Sequence, residues 1–200
     1  MTKTIEFYYD FASPNVYLAD QVLPAIAERA GAEIDYIPCL LGGVFKATGN
    51  QAPMIAFAGV KGKVDYEMLE VRRFIEAHDL KAFRMNPNFP VNTLTMMRTM
   101  IAANEEGDGA PYRRAVATAL WEDGADIGKR EVLAETVTAA GLDAEALIAR
   151  AAAPEIKARL AELTAAAVDR GVFGLPTWFV GDEMFYGKER LGQIEQALTR

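Results

Sequence analysis

Ile5, Phe7 and Tyr9 fall on one face of an extended chain and Glu6 and Tyr8 on the other, the two-residue period of a half-buried strand. Beyond Phe11 the period lengthens. Val16, Ala19, Val22, Leu23, Ile26 and Ala30 recur at helical spacing behind a capping hydroxyl, Ser13, and a first-turn proline, Pro14, and Gly31 closes the helix. A second strand over about 33–37 follows, and two strands joined by a helix predict a parallel pair with a right-handed crossover. Residues 40–63, LLGGVFKATGNQAPMIAFAGVKGK, are rich in glycine, carry Pro53 and read as a long functional loop.

From residue 66 to 170 the pattern is helical only. Met68, Leu69, Arg72 and Ile75 mark one helix, and Leu94, Met97 and Ile101 mark another behind Asn92 and Thr93 as caps. Residues 112–121 form a third, with two short helices over 132–139 and 144–152. A longer one opens at Pro154 and aligns Ile156, Leu160, Leu163 and Ala167. Two aromatic and β-branched runs, 177–180 and 183–186, then flank a Gly181-Asp182 hairpin turn, and a helix over 189–198 ends the pattern. Two strands and a hairpin cannot each stand alone, so the two ends of the chain must complete one sheet. The expectation is an α/β domain made of residues 1–44 and 166–200, carrying residues 45–165 as an all-helical insertion.

Composition narrows the chemistry. With 51% hydrophobic and 24% charged residues among 200, the chain can bury a core without covalent staples. Its single cysteine, Cys39, excludes an internal disulfide and a CxxC pair, and with His78 as its single histidine no metal site or Ser-His-Asp triad is expected. A net charge of −7 argues against nucleic acid as a partner. No apolar run approaches the roughly twenty residues of a membrane span, and the first residues enter a strand without a signal-peptide core, so a cytoplasmic chain with no membrane partner is expected. Cys39 reads as a buried inert thiol and Trp121 as core, while Glu105, Glu106 and Asp123 read as solvated helix ends. Met96, Met97 and Met100 read as core filling between helices.

Two stretches carry candidate chemistry. In FYYDFASPNVY a strand feeds a helix N-terminus, where free N–H groups and the dipole favour an anion and Ser13 can donate to it; a Ser-Pro pair is equally a plain cap. In Gly174-Leu175-Pro176-Thr177 a proline precedes a strand, which leaves the Leu175 backbone free to pair with an extended ligand. Taken alone, Pro176 reads as a trans turn.

With its DFASPNVYLA, KATGNQAP, GVFGLPT and YGKERL segments in this order around a helical block, the chain resembles the 2-hydroxychromene-2-carboxylate isomerases and kappa-class glutathione transferases, DsbA-like proteins of thioredoxin fold. The resemblance implies a thioredoxin-like domain with a large all-helical insertion, a cis Pro176, and Leu175 pairing through its backbone with the cysteinyl part of glutathione. It also implies a homodimer. Glutathione would supply the thiol that the chain lacks, with Ser13 as catalytic thiolate stabiliser, since a serine cannot form a mixed disulfide. Asn50 and a lysine of the following segment, Lys61 or Lys63, are the implied tripeptide contacts. At the far end Lys188-Glu189 stands where the family carries Ser-Asp or Asn-Asp, so Glu189 keeps the carboxylate for the γ-glutamyl ammonium and Lys188 is a departure. Lys46 corresponds to a lysine of the isomerases' pocket for a small aromatic substrate, which the resemblance would line with Phe45, Met54, Phe57 or the Met96, Met97 and Met100 cluster.

The implied activity is glutathione-dependent isomerisation of the 2-hydroxychromene-2-carboxylate type in aromatic-compound catabolism. A kappa-like transferase shares the first site but retains the thioether. A non-catalytic peptide-binding module would use the Leu175 edge alone.

Overall fold

β1 (Lys3–Tyr9) lies inside the sheet, with Ile5, Phe7 and Tyr9 at most 1% exposed on the face that the alternation predicts. The computed structural model describes residues 3–200. β1 pairs in parallel with β2 (Ala32–Pro38), Lys3 opposite Ala32, and antiparallel with β3 (Thr177–Val180), Tyr8 opposite Thr177. β4 (Glu183–Tyr186) is the hairpin partner of β3, giving the order β2-β1-β3-β4. The two ends of the chain thus share one sheet. Aromatic rings tie it together: Phe7 lies 5.3 Å from Trp178 and 5.4 Å from Tyr9, centroid to centroid.

α1 (Pro14–Ala30) is the crossover between β1 and β2. It buries Val16, Leu18, Ala19, Leu23 and Ile26 and ends at Gly31, whose φ of 62° favours glycine. Between β2 and β3 come α2 (Leu41–Thr48), α3 (Pro53–Ala56), α4 (Lys63–Ala77), α5 (Leu94–Glu106), α6 (Gly109–Trp121), α7 (Arg130–Ala139), α8 (Ala144–Arg150) and α9 (Pro154–Asp169). The fold is therefore α/β and thioredoxin-like, with a helical insertion between β2 and β3. A 3-10 turn (Lys188–Arg190) and α10 (Leu191–Leu198) close the chain, so the last α-helix starts two residues later than its pattern predicts.

Residues 40–63 correct the sequence reading, since α2 and α3 stand where a long loop is expected. Glycine propensity disfavours a helix there by about 1 kcal/mol per residue, and tertiary partners outweigh it. The Leu41 N–H donates to Asp10 Oδ2 at 2.7 Å and the Leu40 N–H to Thr164 Oγ1 at 2.9 Å, so α2 is capped from other elements. Gly43 has a packing reason as well, because a Cβ would stand 3.0 Å from Thr164 Cγ2.

Met96, Met97 and Met100 are buried at 0–1% exposure with Tyr112 and Trp121, which favours core filling over a pocket. Met54 and Phe57 are exposed. Cys39 is buried, and burial pushes its thiol pKa up, so it is inert. α4 buries no residue fully, and Met54, Ile55, Phe57, Val60 and Tyr66 form an exposed apolar tract running into it. No helix among the described residues is long and apolar enough to cross a membrane.

Candidate functional site

The turn from β1 into α1 is locked before Ser13 is reached. Asp10 is fully buried, and its carboxylate accepts from the Ala12 N–H at 3.0 Å, the Thr93 hydroxyl at 2.7 Å and the Leu41 N–H at 2.7 Å. The Trp121 indole donates to the Phe11 carbonyl at 3.1 Å. Burial pushes the Asp10 pKa up to about 6, although all three hydrogen bonds favour the anion. Thr93 is consequently engaged with Asp10, and Asn92 takes the Leu94 N–H at 3.0 Å.

Ser13, 6% exposed, is the N-cap of α1. Its Oγ accepts from the Val16 N–H at 3.4 Å and donates to the Leu175 carbonyl at 3.3 Å. Hydroxyl hydrogen bonds centre near about 2.7–2.8 Å, so both contacts are weak and the hydroxyl proton can be redirected at low cost. The plain capping role is present in the structure, but at a length that makes it a minor contribution.

Opposite Ser13, the 173–176 segment is pinned carbonyl by carbonyl. The Asn50 amide donates to Phe173 O at 2.7 Å, Thr177 Oγ1 to Gly174 O at 2.7 Å, Ser13 Oγ to Leu175 O and the Gly187 N–H to Pro176 O at 3.0 Å. The Leu175-Pro176 bond is cis, as the resemblance implies and as the residues alone do not. The Leu175 N–H donates to no group among the described residues. A rigid strand-like edge with one free donor therefore faces the serine.

Gly174 packs under the Tyr186 ring, 3.0 Å from where a Cβ would be, and Phe173 covers the same ring at 4.6 Å.

The structure joins Ser13, Leu175, Pro176 and Asn50 into one connected group. Lys63 starts α4, pairs with Glu67 and lies 5.2 Å from the Phe57 ring, whereas Lys61 stands exposed on the preceding turn. Lys188 is 3% exposed, pairs with Glu189 and lies 5.5 Å from the Phe74 ring. Glu189 also comes near Tyr186, whose pKa is raised by burial and then by Glu189 and Glu67. Lys46 lies exposed in the last turn of α2 and is not drawn into the group. A cleft of about 550 Å³ opens beside Lys188, Glu189, Phe74 and His78, and Ser13 does not line it.

Two residues of the site were not singled out by the sequence pattern. Asp10 looks like any polar residue at a strand end until the fold buries it. Asn15, in the first turn of α1, has a buried Oδ1 without a hydrogen-bond partner among the described residues. Such an orphaned acceptor two residues from Ser13 suits a ligand N–H or O–H. Among the described residues no group of three or more His, Cys, Asp and Glu side chains comes together in a way that could hold a metal ion.

A four-stranded sheet with a helical block between β2 and β3, a helix N-terminus after the first strand and a cis-proline opposite it define a thioredoxin-fold protein. The chain belongs to the family of the DSBA-like thioredoxin domain, whose model matches residues 4–199. It is 32% identical to a 2-hydroxychromene-2-carboxylate isomerase of Pseudomonas putida, covering 98% of this chain and 94% of that one. It is 26% identical to human glutathione S-transferase kappa 1, covering 99% of this chain and 92% of the relative. A solved structure of a 2-hydroxychromene-2-carboxylate isomerase superposes with a TM-score of 0.84 at 31% identity, over 98% of this chain and 95% of the other. Its relatives in both groups are enzymes.

Proposed function

We propose that this protein is a glutathione-dependent isomerase of the 2-hydroxychromene-2-carboxylate type. The observation that carries the reading is the weakly held Ser13 hydroxyl at the N-terminus of α1, facing the unpartnered Leu175 N–H. The residues fit glutathione. The Leu175 edge pairs with the cysteinyl backbone, while Asn50 holds that edge through Phe173. Lys61 or Lys63 meets a carboxylate, and Glu189 meets the γ-glutamyl ammonium. Both Lys63 and Lys188 are paired with glutamates, so binding exchanges those pairs for charges on the ligand.

Bound glutathione supplies a thiolate that adds reversibly to the conjugated chromene, so that the ring opens, a formerly double bond rotates, and elimination returns the thiol and a trans alkene. Ser13 swings its proton from the Leu175 carbonyl to the sulfur and stabilises the negative charge there. The α1 N-terminus adds its dipole. Asp10, through Ala12, Thr93 and Leu41, holds the turn in which Ser13 sits. Lys46, exposed on α2, serves the substrate carboxylate. A second copy of the chain covers the apolar tract of Met54, Ile55, Phe57 and Val60, which makes the working form a homodimer.

Glutathione that binds only the native state must raise the melting temperature, as RT ln(1 + [L]/Kd). The expected result is a concentration-dependent rise with glutathione and none with unfolded peptides. A curve unmoved by glutathione but raised by such peptides replaces the enzyme with a peptide-binding module.

A further inference from the structure

A second cleft, of about 330 Å³, lies where α2, α5 and α9 meet, apart from Ser13 and the Leu175 edge. Small-molecule sites run from roughly 300 to 1,000 Å³, so it can take a short ligand. Its walls are mainly apolar: Leu40, Leu94, Leu160, Ala161, Ala165 and Val168. The charged residues lining it are Arg98 and Lys157, both cationic, and no carboxylate is among them. Arg98 is the more telling of the two. Its side chain is half-buried, and its Nε is fully buried without a hydrogen-bond partner among the described residues. A buried guanidinium N–H is normally satisfied, because a lost partner costs the desolvation of a charged donor.

An apolar slot with an unsatisfied guanidinium and a second cation at its edge is complementary to one kind of molecule. We propose that this cleft binds a carboxylate with an apolar body, such as a medium-chain fatty acid. The guanidinium fork meets the carboxylate, with Lys157 alongside, and the alkyl part lies along Leu94, Leu160 and Val168. Planar bidentate geometry is what Arg offers here and Lys alone does not.

The location gives such a ligand a lever on the proposed active site. The cleft runs along α2, from Leu40 through Gly43 to Ala47, and along the first turn of α5 at Leu94 and Arg98, and Asp10 ties the starts of both helices to the turn carrying Ser13, through Leu41 and Thr93. Ligand in the cleft therefore contacts the elements that hold that turn. The binding proposal itself does not depend on the isomerase reading.

Calorimetric titration of the full chain with octanoate, and in parallel with octanol, tests it. Saturable one-site binding of octanoate is expected, with octanol at least tenfold weaker. Arg98→Met should weaken octanoate at least tenfold and leave octanol unchanged. Ala161→Phe, on the exposed face of α9, should block both by filling the slot, which keeps the test open if Arg98→Met folds poorly. Ser13→Ala should bind octanoate as the parent does. The proposal is overturned if octanoate shows no saturable binding, if Arg98→Met binds it as tightly as the parent, or if glutathione competes with it for one site.

Discussion

Replacing Ser13 by alanine separates a thiolate stabiliser from a cap. The hydroxyl reaches the Val16 N–H at 3.4 Å, a long contact, so the loss of stability should not exceed the ordinary N-cap value of about 1 kcal/mol. Its bond to a bound thiolate is a different quantity. A hydrogen bond to a charged group is worth about 1.5–3 kcal/mol, and since 1.36 kcal/mol is one pKa unit, the bound thiol's pKa should rise by about one to two units. The assay is the pH titration of the ultraviolet thiolate band of bound glutathione in the parent and in Ser13→Ala. Ser13→Asn, a comparable cap, should recover the stability and leave the thiol pKa raised. An unchanged titration in folded Ser13→Ala would make Ser13 a cap alone and leave the α1 N-terminus as the sole activator of the sulfur.

Three further outcomes follow from the geometry. Asp10 holds its proton up to about pH 6 when folded but only to about 3.8 when unfolded. The native state thus binds the extra proton between those values, and stability falls as pH rises through that window, by about 3 kcal/mol. Urea unfolding across pH 4–7 should show this decline, and Asp10→Asn, though weaker overall at the Leu41 N–H, should flatten it; an equal slope in both removes Asp10 as its source. Asn50→Ala gives up a hydrogen bond worth about 0.5–1.5 kcal/mol that holds the Phe173 carbonyl, so the glutathione Kd should rise about two- to tenfold; an unchanged Kd would show that Asn50 neither holds that edge nor contacts the ligand. Gly174→Ala sets a Cβ 3.0 Å from the Tyr186 ring and should destabilise by about 1–3 kcal/mol through overpacking. That cost should vanish in a Tyr186→Ala background, and additive losses in the double variant would place the strain elsewhere.

Periodicity made the sheet and its insertion legible, because the β1 alternation, the spacing of α1 and the Gly181-Asp182 turn are local signals that the fold reinforces. α2 was illegible for the opposite reason. Its Gly42-Gly43 pair disfavours a helix, and what stabilises the helix start lies far away, at Asp10 and Thr164. The cis geometry at Pro176 likewise came from resemblance, since nothing local to GLPT outweighs the trans preference. Ser13 could be placed at a helix N-terminus from its neighbours. Its weak bond to Leu175, 162 residues away, and the carbonyl-by-carbonyl pinning of the 173–176 segment are tertiary facts with no local signature. Asp10 and Asn15 show the same limit, for a carboxylate buried by three donors and an orphaned amide oxygen both read as ordinary turn residues in the sequence.

In the proposed mechanism the chain isomerises its substrate with a thiolate it borrows. The direct measurement is the spectrophotometric conversion of 2-hydroxychromene-2-carboxylate to trans-hydroxybenzylidenepyruvate with purified protein, with and without reduced glutathione, and with mass analysis of the products. The expected conversion requires reduced glutathione, is not supported by S-methylglutathione, and leaves the glutathione pool unconsumed. Equal rates without glutathione, or a thioether that accumulates as glutathione is spent, would contradict it.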